Sequence, residues 1–432
     1  MAPSSARNAL CGSVMGYADY RPFIPTPEQS RIAGETPQAH TAGRMATKRA
    51  QTVFEEWLAL YETPFLGITA DGSIKDGLFA LKDSGAPVER MASAAWAVLD
   101  MLTPEERKAC RHPVGSRLWR KWQNTEMFVE DYGLRLEHTG SAVRDGVLAV
   151  LGASLSRSGY ESSLGVMRLN EFLGEVMNAT GILNQWSYNF CIFGSPSTSE
   201  PWGWQLFGHH LVLNCFCLGG QMVLTPFFQG AEIVYADTGP HKGLALFKDH
   251  ERKGLELMNS LPEKLQRQAV VGHSIMGEDL PDGRRHFADY MHLGGAYQDN
   301  RIVPYEGVDT RLFDAGHRNR LMDLVAEYIR PLPHGPRQAK LEEFERHLED
   351  THFCWIGGHG PNDAFYYRIQ SPVVFVEFDH HPGLFLTNEI PLKFHIHTIV
   401  RTPNGNDYGI DLLRQHYRQS HKHGHGHSHD HD

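Results

Sequence analysis

Residues 207–217 read FGHHLVLNCFC: two adjacent histidines, His209 and His210, head an apolar run rich in β-branched and aromatic side chains. Short runs of this kind, punctuated by glycine, read as strands buried on both faces. Histidine is expensive to bury unless its ring nitrogens find partners, so the pair either completes a hydrogen-bonded core or reaches toward a metal. Strand alternation separates the two: His209 falls with Leu211, Leu213, Cys215 and Cys217, whereas His210 falls with Val212 and Asn214 on a more polar face. His210 is therefore the ligand candidate. His209 is assigned to the core, or to support of a ligand.

On either side of this stretch the texture differs. Residues 45–180 carry helical periodicity, as in Val143, Val147, Val150 and Leu151, then Val166, Leu169, Leu173 and Val176. A helix is expected to begin near Arg44, and another at LTPEERKAC, where Thr103 caps, Pro104 opens the first turn and Glu106 closes a capping box. Residues 181–417 are richer in strands, among them QWSYNFCIFG, QMVLTPFF, THFCWIGG, AFYYRIQ, PVVFVEFDHH and LKFHIHTIVRTP, with helical stretches near 243–270 and 310–349. No alternation of strand and helix suggests a parallel sheet. The expectation is an α+β protein, a helical N-terminal part packed on a mainly antiparallel sheet, forming one domain over 45–417. Residues 1–44 read as a flexible arm and 418–432 as a disordered tail.

Two further strands carry chemistry. In LKFHIHTIV, His395 and His397 share one face, while Phe394, Ile396 and Val400 take the other. Two imidazoles about 7 Å apart on a strand can converge on one cation, or simply face solvent. In VVFVEFDHH, Glu377 and Asp379 share a face inside an apolar run, and His380 and His381 close it. A carboxylate there requires a metal or an ion pair, for which Arg368 and Arg401 are available. His359, in the polar turn GGHGPND, is a further alternative ligand. Aromatic residues such as Trp186, Trp204, Trp355 and Tyr366 either line an apolar pocket or pack the sheet. The H-E-x-x-H, G-x-S-x-G and phosphate-loop patterns do not occur.

The chain has 432 residues and a formal net charge of -10, which argues against a general nucleic-acid surface. It has no apolar run of transmembrane length, and its first residues lack a secretory apolar core, so a cytoplasmic protein is expected. The six cysteines are too scattered for a disulfide framework and read as buried thiols. The last twelve residues, HKHGHGHSHDHD, alternate histidine with small or charged residues. They either chelate a metal or form a dispensable end.

Several blocks together resemble a family known as domain of unknown function 3500: LSRSGYESSLGVMRLNEFL, FGSPSTSEPWGWQLFGHHLVLN, LTPFFQGAEI, FYYRIQSPVVFVEF and HIHTIVRTPNGNDYGIDLLRQHY, the last ending at Tyr417. In order and spacing they cover roughly residues 45–417. Thr402 and Gly405 depart from the pattern. The resemblance implies that both histidine blocks belong to one domain core and that the tail lies outside it; it carries no activity.

From these residues the expected function is a metal-dependent enzyme acting on a small, partly apolar molecule. His210, His395 and His397, with Glu377 as a possible fourth ligand, would hold one divalent ion, zinc foremost, with iron or copper as alternatives. His381 or Asp379 would act as general base, and Asn214 or Gln205 would donate hydrogen bonds to substrate. An iron or copper oxidoreductase on the same ligands, and a non-catalytic metal- or ligand-binding protein, are the alternatives.

Overall fold

The computed structural model describes residues 19–423 apart from residues 33, 131 and 287, and omits the side chains of 421–423. Among the described residues the chain forms eleven α-helices and one sheet of thirteen strands, which makes it α+β. Eight strands carry the sheet: β1 (Tyr188–Gly194), β2 (Trp202–Gly208), β3 (Leu211–Leu218), β4 (Phe227–Ala231), β5 (His352–Gly357), β6 (Phe365–Gln370), β7 (Phe375–His381) and β8 (Leu392–Arg401). They lie in the order β1-β2-β3-β4-β8-β7-β6-β5, every neighbour antiparallel. Two antiparallel meanders thus meet edge to edge at β4 and β8. Within the sheet, among the described residues, parallel pairing involves two short strands, Arg111–His112 beside β1 and Val270–Gly272 beside β5.

Period-two alternation sends each strand's side chains into two different environments. Phe394, Ile396 and Val400 of β8 join the main apolar cluster, with Leu211, Leu213 and Cys215 of β3. That cluster includes residues of the helices Val88–Met101, Pro104–Cys110, Ser141–Ser154, Arg157–Val176 and Ala315–Tyr328. The opposite face packs Val212, Phe228 and Ile399 against Trp57, Trp119, Trp122, Tyr297 and Tyr408. Helices cover one face of the sheet. Loops and the helix Lys48–Glu62 cover the other.

The expected capping box at Thr103 and Glu106 forms. The helix expected from Arg44 is two helices, Pro37–Met45 and Lys48–Glu62, because Thr47 accepts the Ala50 amide and caps a new start. The arm expected over residues 1–44 is held from Tyr20 onward. Tyr20 is buried and donates to Asp237 at 2.5 Å, Arg21 bonds the same carboxylate at 2.7 Å, and His40 is buried against Glu126 at 3.1 Å. Single anchoring side chains do this work, so no periodic pattern announces it; residues 1–18 lie outside the described ones. The last helix runs Ile410–His423, into the expected tail, and residues 424–432 lie outside the description. No described helix is long and apolar enough to cross a membrane. The five described cysteines are buried free thiols.

Candidate metal centre

Gly208 of β2 pairs with Leu211 of β3, so His209 and His210 are the two residues of the hairpin turn, not the head of a strand. Two-residue hairpin turns favour left-handed backbone, and His210 adopts it at φ +61°. The two rings stay side by side, with centroids 4.0 Å apart, so alternation does not separate them and only their partners differ. His209 Nδ1 meets Asn170 at 2.7 Å, while His210 Nε2 lies 3.0 Å from His397 Nε2.

His210 begins a row that crosses the sheet. Gly230 of β4 donates its amide to the His210 carbonyl and pairs with His397 of β8; His397 pairs with Asp379 of β7, and Asp379 with Tyr366 of β6. Directly opposed residues of antiparallel strands share a face. Gly230 is the gap in the row. A β-carbon on it would stand 2.8 Å from His397 Cδ2 and 3.1 Å from His210 Cδ2, so the two rings reach over a strand that presents no side chain.

His395 enters from the same face of β8, two residues before His397, as the H-x-H spacing requires. The Nε2 atoms of the three rings converge: 3.0 Å between His210 and His397, 3.1 Å between His395 and His397, and 3.4 Å between His395 and His210. Nitrogens bound about 2.0–2.1 Å from one zinc are about 3.4 Å apart at tetrahedral angles and about 2.9 Å apart at right angles. The observed triangle falls between those values. These three residues form a group whose donor atoms all lie within 4.8 Å of one another.

Proton arithmetic points the same way. His395 Nδ1 lies 2.8 Å from the Pro382 carbonyl, which can only accept, so Nδ1 carries the hydrogen and Nε2 is a bare lone pair. That lone pair faces two other ring nitrogens, and a single proton on either satisfies one contact while the rest repel. Burial, then the neighbouring imidazoles, holds all three pKa values well below the ordinary histidine range, so the rings stay neutral. Neutral imidazoles are the metal-binding form. A cation at the centre turns three mutually repelling lone pairs into three bonds.

His381 belongs beside this group. Its ring centroid is 4.4 Å from that of His397 and 4.7 Å from that of His395. Its Nδ1 donates to the same Pro382 carbonyl at 2.9 Å, leaving a bare Nε2 that is buried with no hydrogen-bond partner among the described residues. Between His380 and His381 the β7–β8 register jumps, so that His381 pairs with Leu392 and residues 393–395 bulge. Bulges re-aim side chains, and here the bulge lets both rings reach one carbonyl.

Other expected residues go elsewhere. Glu377 is no ligand: its oxygens accept the Leu293 amide at 2.9 Å, the Gly294 amide at 2.8 Å and the Tyr366 hydroxyl at 2.6 Å. Burial opposes its ionisation, but His292, Arg368 and these donors bring it below the usual carboxylate range. His380 points to the opposite face, its Nδ1 accepting the Phe365 amide at 3.1 Å. His359 sits on a surface loop against Asn259. Gln205 and Asn214 share the His210 face but lie two rows along the sheet, since four residues of strand are about 13 Å. Gln205 Nε2 bonds Asn214 Oδ1 and the Trp119 carbonyl, and Asn214 Nδ2 bonds the Pro226 carbonyl, so their donors are engaged.

Two residues were not anticipated. His292 approaches from the loop before Asp299, with its Nε2 3.5 Å from Asp379 Oδ1 and its ring 6.1 Å from that of His397. That loop is clamped by Glu377 on its amides and by Arg401 on the Gly294 and Gly295 carbonyls and on Asp299. No local pattern marks His292, because tertiary clamps place it. Gly230 did carry a signal: a lone glycine inside a strand indicates close approach of another group.

The family model described as "Protein of unknown function (DUF3500)" matches residues 84–410, a span that holds every residue of the row and all four clustered imidazoles. No curated protein and no solved structure matches the chain.

Proposed function

Since the chain belongs to the family of unknown function DUF3500, whose description names no activity, we propose a function from the site alone: a metal-dependent hydrolase for a small molecule. The observation that carries it is the triangle of three buried Nε2 atoms at 3.0, 3.1 and 3.4 Å. Three protein ligands leave a position for water, and a divalent ion lowers that water's pKa toward neutrality. An all-imidazole donor set suits zinc or copper. The two-histidine-one-carboxylate arrangement sought with Glu377 is not formed, which disfavours the iron version.

His381 supplies the base. Its Nδ1–H is fixed on Pro382, its Nε2 is buried without a partner among the described residues, and its ring lies beside those of His395 and His397. With a metal held by the triad to polarise water, His381 would take a proton from that water and pass it to the leaving group of an acyl substrate. The acidic net charge and the burial of all four rings favour a small organic substrate over a polymer and disfavour a carrier, whose ligands need to be accessible.

The test is elemental analysis of the full chain with the six tail histidines (421, 423, 425, 427, 429 and 431) changed to asparagine. One equivalent of zinc is expected, lost in each of His210→Asn, His395→Ala and His397→Ala; asparagine suits position 210 because it tolerates left-handed backbone. A metal-free parent, or unchanged content in the three variants, sinks the reading. One equivalent of copper with oxygen uptake would replace hydrolysis by oxidation.

A further inference from the structure

Beside the triad the protein buries polar atoms that it does not satisfy. Asp379 Oδ1 and His292 Nε2 are each buried without a hydrogen-bond partner among the described residues, whereas Asp289 Oδ2 on the same loop has His286 Nδ1 at 3.2 Å. Asp379 and His292 are 0% and 2% exposed. An unsatisfied buried polar group is costly, and native proteins hold few. Asp379 Oδ1 and His292 Nε2 lie 3.5 Å from one another, too far for a good bond between them and close enough to share a third group.

Their place in the fold says where that third group sits. Asp379 is the cross-strand neighbour of His397, and His292 comes down from the clamped loop to the same spot. Tyr290, two residues before it, lies 5.0 Å from the His381 ring at a tilt of 53°. The other oxygen of Asp379 takes only a long contact, 3.4 Å from the Met291 amide. Glu377, one row along β7, differs in being saturated by its donors. The unsatisfied acceptor is therefore the one nearest the metal ligands.

We propose that Asp379 and His292 form the substrate-recognition pair of this metal site, accepting an N–H from a small carboxamide-like ligand whose carbonyl oxygen lies toward the triad. This rests on the metal reading above and adds a substrate class to it. The carboxyl groups of Asp379, Glu377 and Asp289 and the guanidinium of Arg284 all lie here, so no net charge is asked of the ligand, and a neutral N–H donor suits the bare Asp379 oxygen. A primary or secondary amide offers both features, a Lewis-basic oxygen and a hydrogen-bond donor one bond further on.

Two probes that differ at that donor, with N–H in one and N–CH3 in the other, test it: acetohydroxamic acid and N-methylacetohydroxamic acid, titrated into the cobalt-loaded full chain, its six tail histidines changed to asparagine, and followed by the cobalt visible bands. Both chelate through two oxygens; only the first keeps an N–H. A hydrogen bond to a neutral acceptor corresponds to about a fivefold difference in affinity. The parent should prefer the first probe by about that factor. Asp379→Leu, which keeps the shape and removes the acceptor, should abolish the preference, and His292→Phe should weaken the first probe while sparing the second. Both variants should retain one cobalt per chain. An unchanged preference in both variants, or in whichever of them folds, overturns the proposal with the metal site intact. A parent that binds no cobalt removes the metal reading, and this proposal with it.

Discussion

Gly230 shows how one missing side chain can define a centre. Its β-carbon would meet His397 Cδ2 and the Ile396 carbonyl at 2.8 Å, distances that require one ring or the strand to shift. The Ile396 carbonyl belongs to the ladder and cannot move cheaply. In Gly230→Ala the rings of His210 and His397 must therefore spread. Since the Nε2 triangle already matches metal–nitrogen geometry, a few tenths of an ångström is enough to weaken it. Metal affinity should fall at least tenfold, read by competition with a chromophoric chelator, while the chain stays folded by circular dichroism. Unchanged affinity would mean that the rings do not meet over this strand. The left-handed backbone of His210 is the companion device: it turns the ring across Gly230, where an extended residue would not.

At the scale of elements, strand period made part of the site legible. His395 and His397 share a face because a strand alternates; the same rule did not separate His209 from His210, which stand in a turn with ring centroids 4.0 Å apart. The rule could not choose between readings of Glu377. A carboxylate within an apolar strand signals a tight partner, and whether the partner is a metal, an arginine or a pair of loop amides depends on the loop around residue 293, far away in sequence. His292 was out of reach for the same reason. The α+β class was readable because helical and strand textures occupy different halves of the chain; the joining of the two meanders at β4 and β8 was not, because long-range pairing leaves no local mark. The loop that carries Pro382 has its own clamp, Glu232, whose Oε1 accepts the Phe385 and Leu386 amides at 2.7 Å each. Burial pushes this carboxyl up to about 7, against the lowering pull of those amides. Its folded value is raised, so its contribution is fully present below about pH 4.5 and is lost as the pH rises through about 7. Integrated over that interval the loss is about 3 kcal/mol. Glu232→Gln keeps the acceptor and cannot ionise, so its stability relative to the parent should improve by about that much between pH 5 and pH 8 in urea unfolding. A pH-independent difference would show that Glu232 does not titrate in this range.

For the whole molecule, the concentration of neutral histidine in one core sets the acid limit of the fold. Burial holds His210, His395 and His397 well below their ordinary range and His209 and His381 down to about 4. A lowered folded pKa reverses the sign found for Glu232: the stability is present above about pH 6.5, where unfolded imidazole is also neutral, and is lost as the pH falls from there toward 4. At pH 5 an unfolded histidine gains about 2 kcal/mol from protonation that His209 and His381 forgo, and the three triad imidazoles add to this in the same direction. The total is a large share of a domain's stability. Glu232 and Asp379, both raised by burial, oppose the trend with a smaller sum. The apo chain should therefore unfold cooperatively between about pH 4 and pH 5.5, taking up several protons at once. A metal bound through three of the same lone pairs excludes those protons, so saturating zinc should move the midpoint to lower pH, and metal release should coincide with loss of structure. Circular dichroism with parallel proton-uptake titration reads both. An apo chain that keeps its fold and takes up few protons down to pH 4 would show that these imidazoles are not held neutral together.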